Sequence, residues 1–237
     1  MAIFELELPS GVVAHSLANA DRQAEALART VAEALIFAIE TDGCASLAVS
    51  GGRSPIRFLE ALSGRSLDWS KVQVSLADER WVPPSHPDSN EGLVRRHLLQ
   101  NEAAKARFMG LYQAAPTLAE AVTAAEQSLA ALKRPLDVLV LGMGDDGHTA
   151  SLFPGNPGLG EALEPTCEAA CVPMLAPAAP HQRISLTYPL LAGARVQCLA
   201  IQGEAKLDAL RRALEVDPVQ MPIRAFLHSP LKIYWCP

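Results

Sequence analysis

The sequence predicts an α/β fold, a doubly wound, mainly parallel sheet with helices on both faces. Three observations carry this. Short apolar runs alternate with amphipathic stretches along the chain. Two of those runs, ending at Ser50 and at Leu141, pass directly into glycine-rich turns. The run from Leu136 to Leu141 is apolar except for Asp137 and rich in branched side chains, the pattern of a strand covered on both faces. With 237 residues the chain can bury a full core, and residues 1–237 are expected to form a single domain.

Taken in order, residues 3–8 alternate apolar and polar, as an edge strand does. Between Leu17 and Thr41 the residues Leu27, Val31, Ala34, Leu35 and Ala38 recur at three- and four-residue steps among charged ones, which predicts an amphipathic helix ended by Gly43. Residues 44–50 form a strand. Gly51, Gly52, Arg53, Ser54 and Pro55 then lead into a helix over 56–62, with Ser54 placed as N-cap and Pro55 as first helical residue. Residues 72–77 form a buried strand, and a helix is expected over 91–99 after a proline-rich loop. A short strand at 108–112 precedes a helix over 117–132, opened by Thr117 with Glu120 as a capping box. After the central strand come a loop-rich stretch to about 170, short strands at 171–175 and 183–187, and a buried strand at 196–202. A helix over 204–214 and a last strand at 231–235 close the chain.

Composition narrows the function classes. A net charge of -6 leaves no basic stripe of the kind that binds nucleic acid. There is no run of ~20 apolar residues for a membrane span and no basic start followed by an apolar run for a secretory signal. Five cysteines, an odd number without paired CxxC spacing, fit reduced thiols in a cytoplasmic protein. Cys44, Cys198 and Cys236 are read as core residues, and Cys167 with Cys171 as buried free thiols.

The chemistry is expected at the carboxyl ends of the strands, where ligands bind in open α/β sheets. The central strand delivers Asp145, Asp146 and His148 there. Gly142, Gly144 and Gly147 match the spacing of a dinucleotide fingerprint, but Pro154, Gly155, Pro157 and Gly158 follow too soon for the helix that fingerprint needs. Gly51, Gly52, Arg53 and Ser54 at a helix start make an anion site of converging amides. Asp78 and Arg80, two apart at the end of a strand, project to one side and are site candidates; Glu79 between them is read as a solvated salt-bridging residue. Lys206, in the first turn of its helix, is well placed only beside a bound anion. His15, His86, His97, His181 and His228 are read as surface or packing residues, with His181 the one exception to watch because it lies near Arg183.

Several segments together resemble the 6-phosphogluconolactonase family: residues 50–55, 78–83, 142–154, 183–187 and 203–206. The resemblance implies a Rossmann-like fold shared with glucosamine-6-phosphate deaminases and hydrolysis of 6-phosphoglucono-δ-lactone in the pentose phosphate pathway. The deaminases carry Asn-Glu-Pro where this chain has Leu152, Phe153 and Pro154, and a phenylalanine cannot transfer a proton. A sugar-phosphate deaminase or isomerase and a non-catalytic sugar-phosphate binder are the alternatives.

The resemblance implies a site without metal or cofactor. Its phosphate grip would be Gly51, Gly52, Arg53, Ser54, Arg80, Arg183 and Lys206, with Asp78 a second polar contact to the sugar. His148 would act as general base with Asp146 orienting it, and turn amides between Gly144 and His148 would hold the oxyanion. The expected partner is a small phosphosugar lactone, with neither nucleic acid nor membrane.

Overall fold

The computed structural model describes residues 3–177, 181–228 and 230–237. In its first half the elements are β1 (Val12–Ser16), α1 (Ala20–Asp42), β2 (Ala45–Val49), α2 (Ile56–Ser63), β3 (Val72–Leu76), β4 (Asp78–Arg80), α3 (Asn90–His97), β5 (Arg107–Met109) and α4 (Leu118–Leu129). There follow β6 (Val138–Leu141), α5 (Leu159–Leu163), β7 (Cys171–Leu175), β8 (Gln182–Leu186), α6 (Tyr188–Ala192), β9 (Val196–Gln202), α7 (Glu204–Leu214) and β10 (Leu231–Cys236). Seven strands form one sheet in the order β1-β10-β9-β6-β2-β3-β5, every neighbouring pair parallel. Helices flank it: α1 packs on β2 and β10 and alongside α2, and α7 packs on β9.

Local sequence accounts for the main elements. Asn19 caps α1 by accepting the Arg22 amide, and Gly43 ends it in the left-handed region at φ 79°. The predicted apolar stripe is the buried face: Leu27, Val31 and Leu35 are fully enclosed, each burial worth roughly 1.5–3 kcal/mol. Thr117 caps α4, accepting the Glu120 amide at 3.3 Å and donating its hydroxyl to the Glu120 carboxylate at 3.0 Å.

The structure departs from the sequence expectations in several places, Cys167 among them, which is half-buried rather than buried. The alternating residues 3–8 are not a strand; Ile3–Glu5 form a 3₁₀ turn whose Ile3 is buried, and Leu6 and Leu8 lie against the core. The edge strand is β1, which begins after Pro9 and Gly11 turn the chain. Ser54 does not cap α2; the Pro55 carbonyl accepts the first helical bond, and no side chain caps that end. A second sheet, β4-β8-β7, is antiparallel. Single-strand periodicity carries no information on which neighbour a strand takes, and this sheet joins segments about a hundred residues apart.

A further departure is Glu79, which is 0% exposed rather than solvated. Its carboxylate accepts the backbone amides of Arg80 (2.7 Å), Asn90 (2.8 Å) and Glu91 (2.7 Å) and the Ser89 hydroxyl (3.0 Å). It therefore fastens the start of α3 to β4, taking up backbone amides at the helix's amino end that have no partner within the helix. Burial pushes this carboxyl up to about 7, against the lowering effect of the amides it accepts from.

At the amino ends of the strands, the one polar residue of the central run is also locked. Asp137 is 2% exposed and accepts the Ser46 amide at 2.7 Å, Lys133 Nζ at 2.8 Å and Arg195 Nη1 at 3.2 Å. Lys133 and Arg195 share Asp42 as well. Cys198 and Cys236 are buried, whereas Cys44 is only half-buried and gives its carbonyl to Lys133. Among the described residues no helix is long and apolar enough to cross a membrane.

Two outcomes are expected. Asp137→Ala strands two cations beside Asp42 alone and should cost about 3 kcal/mol in urea unfolding. Glu79 is pulled from its ordinary value of 4.5 toward 7, so it binds its proton more tightly folded than unfolded. Its stabilising contribution is complete below pH about 4.5 and is lost as pH rises to about 7, a swing of roughly 3 kcal/mol. Unfolding measured from pH 4.5 to 8 should show that slope in the wild type and not in Glu79→Gln.

Candidate active site

The sheet changes winding direction between β2 and β6, which pair in the register Leu47↔Val138, Ala48↔Leu139, Val49↔Val140. Beyond their carboxyl ends the chains diverge, one into the turn at 51–55 and the other into the turn at 142–148. The Ser50 amide still donates to the Val140 carbonyl at 2.9 Å, and Gly142 donates to the Ser50 hydroxyl at 3.3 Å. A cavity of ≈ 530 Å³ opens there. The residues to which the sequence assigns a catalytic or binding role all line it: Gly51, Gly52, Arg53, Ser54, Asp78, Arg80, Asp146, His148, Arg183 and Lys206.

His148 and Asp146 are joined, Nδ1 to Oδ1 at 2.6 Å, and the carboxylate also accepts the His148 amide at 3.1 Å. Burial alone would raise the Asp146 carboxyl, but the His148 amide and imidazole outweigh it and hold the group below its usual range. The pair needs Gly144: a Cβ there would lie 2.2 Å from His148 Nδ1 and 2.5 Å from Asp146 Oδ1. With Nδ1 assigned as donor to the carboxylate, Nε2 is left as an acceptor. The oxyanion expectation does not survive for three of the turn amides. Gly144 donates to the His148 carbonyl, Gly147 to the Gly144 carbonyl and His148 to Asp146, so all three are used within the turn.

The second sheet supplies the cations. Arg80 on β4 lies directly across from Arg183 on β8. Burial, and then the charge of Arg80, lower the Arg183 pKa from its ordinary value. The Nε atoms of both side chains are buried without a partner among the described residues. Two guanidinium groups held side by side with donors unused form a receptor for an anion of several oxygens. Lys206 stands nearby, its Nζ 2.7 Å from Asp145 Oδ1, which ties α7 to the turn at 142–148.

Asp78 is buried and accepts the Ser151 hydroxyl at 2.5 Å and the Asn90 side-chain amide at 3.4 Å. Asn90 is a site residue that the sequence does not single out, because it falls at the end of a proline-rich loop. It is 1% exposed and lines the cavity; its amide group donates to the Asp78 carbonyl, and its Oδ1 has no partner among the described residues. Gly51 makes room for it, since a Cβ there would sit 1.9 Å from that oxygen. Phe153, which enters the sequence argument only as a group unable to carry a proton, has a packing role: its ring lies on the His148 imidazole with centroids 4.6 Å apart.

Known proteins share this architecture and sequence. The family described as glucosamine-6-phosphate isomerases/6-phosphogluconolactonase matches residues 18–235. A 6-phosphogluconolactonase of Pseudomonas aeruginosa is 59% identical over the whole of both chains, and one of Rhizobium meliloti is 49% identical over 94% of this chain and 98% of its own. Among solved structures, a 6-phosphogluconolactonase from Shewanella baltica superposes with a TM-score of 0.93 at 42% identity, covering 97% of this chain and all of that one. A monomeric glucosamine-6-phosphate deaminase, at 18% identity and a TM-score of 0.77 over 94% and 97% of the two chains, shares the fold. A sheet reversal that exposes a His–Asp turn beside paired arginines, together with these matches over nearly the full chain, leaves one assignment: the chain belongs to the glucosamine-6-phosphate isomerase/6-phosphogluconolactonase family.

Proposed function

We propose that this chain hydrolyses 6-phosphoglucono-δ-lactone to 6-phosphogluconate in the pentose phosphate pathway. The observation that carries the reading is the pairing of a histidine–carboxylate couple with two facing arginines in one cavity, where a base and an anion grip can engage the two ends of a single phosphosugar. Its relatives from Pseudomonas aeruginosa and Shewanella baltica, which bear the lactonase name, support the choice of substrate.

The phosphate is held by the amides of Gly51, Gly52 and Arg53, the Ser54 hydroxyl, and Arg80, Arg183 and Lys206. Gly52, at φ +96° with nothing within 4 Å of the place a Cβ would take, leaves that backbone open to the ligand. Anchoring the phosphate spends binding energy on orientation, so the lactone carbonyl comes to rest beside His148. His148 Nε2 accepts a proton from water while the water oxygen bonds to the carbonyl carbon. Asp146 stabilises the imidazolium that results. The carbon–oxygen bond to the ring oxygen then breaks, and His148 returns the proton to that oxygen as the ring opens. Asp78, held by Ser151 and Asn90, offers its remaining acceptor capacity to sugar hydroxyls.

Phe153 favours the lactonase over a deaminase. Its ring occupies the face of His148 with no group able to carry a proton. The protein acts as one domain in the cytoplasm, a placement supported by its five free thiols.

The test is the rate of loss of freshly made lactone over its spontaneous hydrolysis, with ammonia release from glucosamine 6-phosphate followed in parallel. Acceleration of the first alone is expected. His148→Ala should lower kcat by ~10²–10⁴ with KM little changed, whereas Lys206→Ala should act mainly on KM. Near-normal kcat in His148→Ala would overturn the general-base role.

A further inference from the structure

Outside the cavity lining, two histidines converge, His86, read from the sequence as a surface or packing residue, and His181, the exception noted for its place near Arg183. His86 lies in the loop between β4 and α3, and His181 lies immediately before β8. Between them stands Asp88. Its Oδ2 is 2.9 Å from His181 Nε2 and 3.9 Å from His86 Nδ1, and one ligand atom from each of the three side chains lies within 4.8 Å of the others. The imidazole rings meet edge to face with centroids 5.1 Å apart.

We propose that His86, Asp88 and His181 form a binding site for a zinc-class divalent transition-metal ion. Nitrogen and oxygen ligands bind Zn²⁺ at about 2.0–2.2 Å in tetrahedral geometry, which sets ligand atoms about 3.4 Å apart. The observed separations of 2.9 and 3.9 Å bracket that value. The donor set, two imidazoles and one carboxylate, is one that zinc favours over calcium or magnesium, which prefer all-oxygen ligands. Three protein ligands leave a fourth position open.

The ligands are held in advance. Pro83, Pro84 and Pro87 restrict the loop, the His86 amide donates to the Pro83 carbonyl at 2.8 Å, and Ser89 donates to the His86 carbonyl at 3.1 Å. His181 is set by the strand that follows it. Binding asks for two changes: the release of the Asp88 amide that now donates to His86 Nδ1 at 3.1 Å, and the loss of the proton that His181 Nε2 shares with Asp88 Oδ2 at 2.9 Å.

The site adjoins the anion grip, because the Asp88 carbonyl accepts Arg80 Nη1 at 2.5 Å. A bound dication replaces the negative charge of Asp88 beside Arg80 and Arg183 with a positive one. Metal binding here does not depend on the lactonase reading and is measured without turnover.

The experiment is calorimetric titration of the full-length protein with Zn²⁺ in a non-chelating buffer, paired with the absorption spectrum after Co²⁺ addition. One equivalent is expected to bind, and His86→Ala, Asp88→Asn and His181→Ala are each expected to weaken it by at least ~10-fold. The Co²⁺ complex should show tetrahedral d–d bands without a thiolate charge-transfer band. Absence of binding, wild-type affinity in the three variants, or a thiolate band that assigns the ion to a cysteine would each overturn the proposal.

Discussion

The pairing of β2 with β6 is the constraint from which the site hangs. Their register sets where each strand ends, and the two glycine turns that follow are fixed relative to each other by it. In a parallel sheet a one-residue slip would turn each side chain to the opposite face. It would also shift the 51–55 backbone against the His148 turn by a full residue length. The fully apolar β6 and the small residues of β2 are covered on both faces, so the register is held by packing rather than by the ligand. Asp137 reinforces it at the opposite end, where its carboxylate takes the Ser46 amide of β2 and two cations.

The arginines follow a different logic. Arg80 and Arg183 face one another across the small sheet, each with a buried donor unused, so the unliganded fold carries like-charge repulsion and incomplete hydrogen bonding. Glu79 and the α3 start hold one of them rigidly from behind, and the packed β8 holds the other. An oxyanion that enters between them relieves what the fold alone leaves unfavourable. Binding energy obtained this way is specific for a multi-oxygen anion, because a single-point acceptor satisfies only one of the two forks.

How much of this is legible in sequence follows from what each signal depends on. The bounds of α7 and β9 match their sequence expectations to the residue, because apolar period and glycine boundaries are local properties. The candidates at the strand ends are likewise visible, since a buried strand followed at once by charges or glycines has few other uses. What local patterns cannot carry is pairing. The antiparallel sheet, the placement of Arg80 opposite Arg183 and the meeting of His86 with His181 all join segments about a hundred residues apart. Glu79 defies its sequence reading for a related reason: a carboxylate between two charged residues is ordinarily solvated, and only the return of α3 to the end of β4 supplies the amides that let it be buried. Asn90 carries one usable sign, a polar side chain at the first position of a helix that returns to a functional strand.

Phe153 connects these parts. Its ring lies 4.6 Å from the His148 imidazole, and the Arg183 guanidinium carbon stands 6.0 Å from its centroid. An apolar plate between the base and the cation keeps the two from competing for one carboxylate, which would pair with Arg183 and share a proton with His148. A glutamate here would neutralise part of the anion grip while it gained a proton-transfer role. In the proposed mechanism the aromatic ring does the reverse: it leaves Arg183 free for the phosphate and His148 for water. Hydrolysis needs only one proton shuttled from water to the leaving oxygen, which a single histidine can accomplish. A reaction that moves protons between neighbouring carbons draws on a further acid or base, and at this place the turn offers only packing. In the proposed mechanism Phe153 thus bears on the choice between the two chemistries, set as it is between His148 and Arg183.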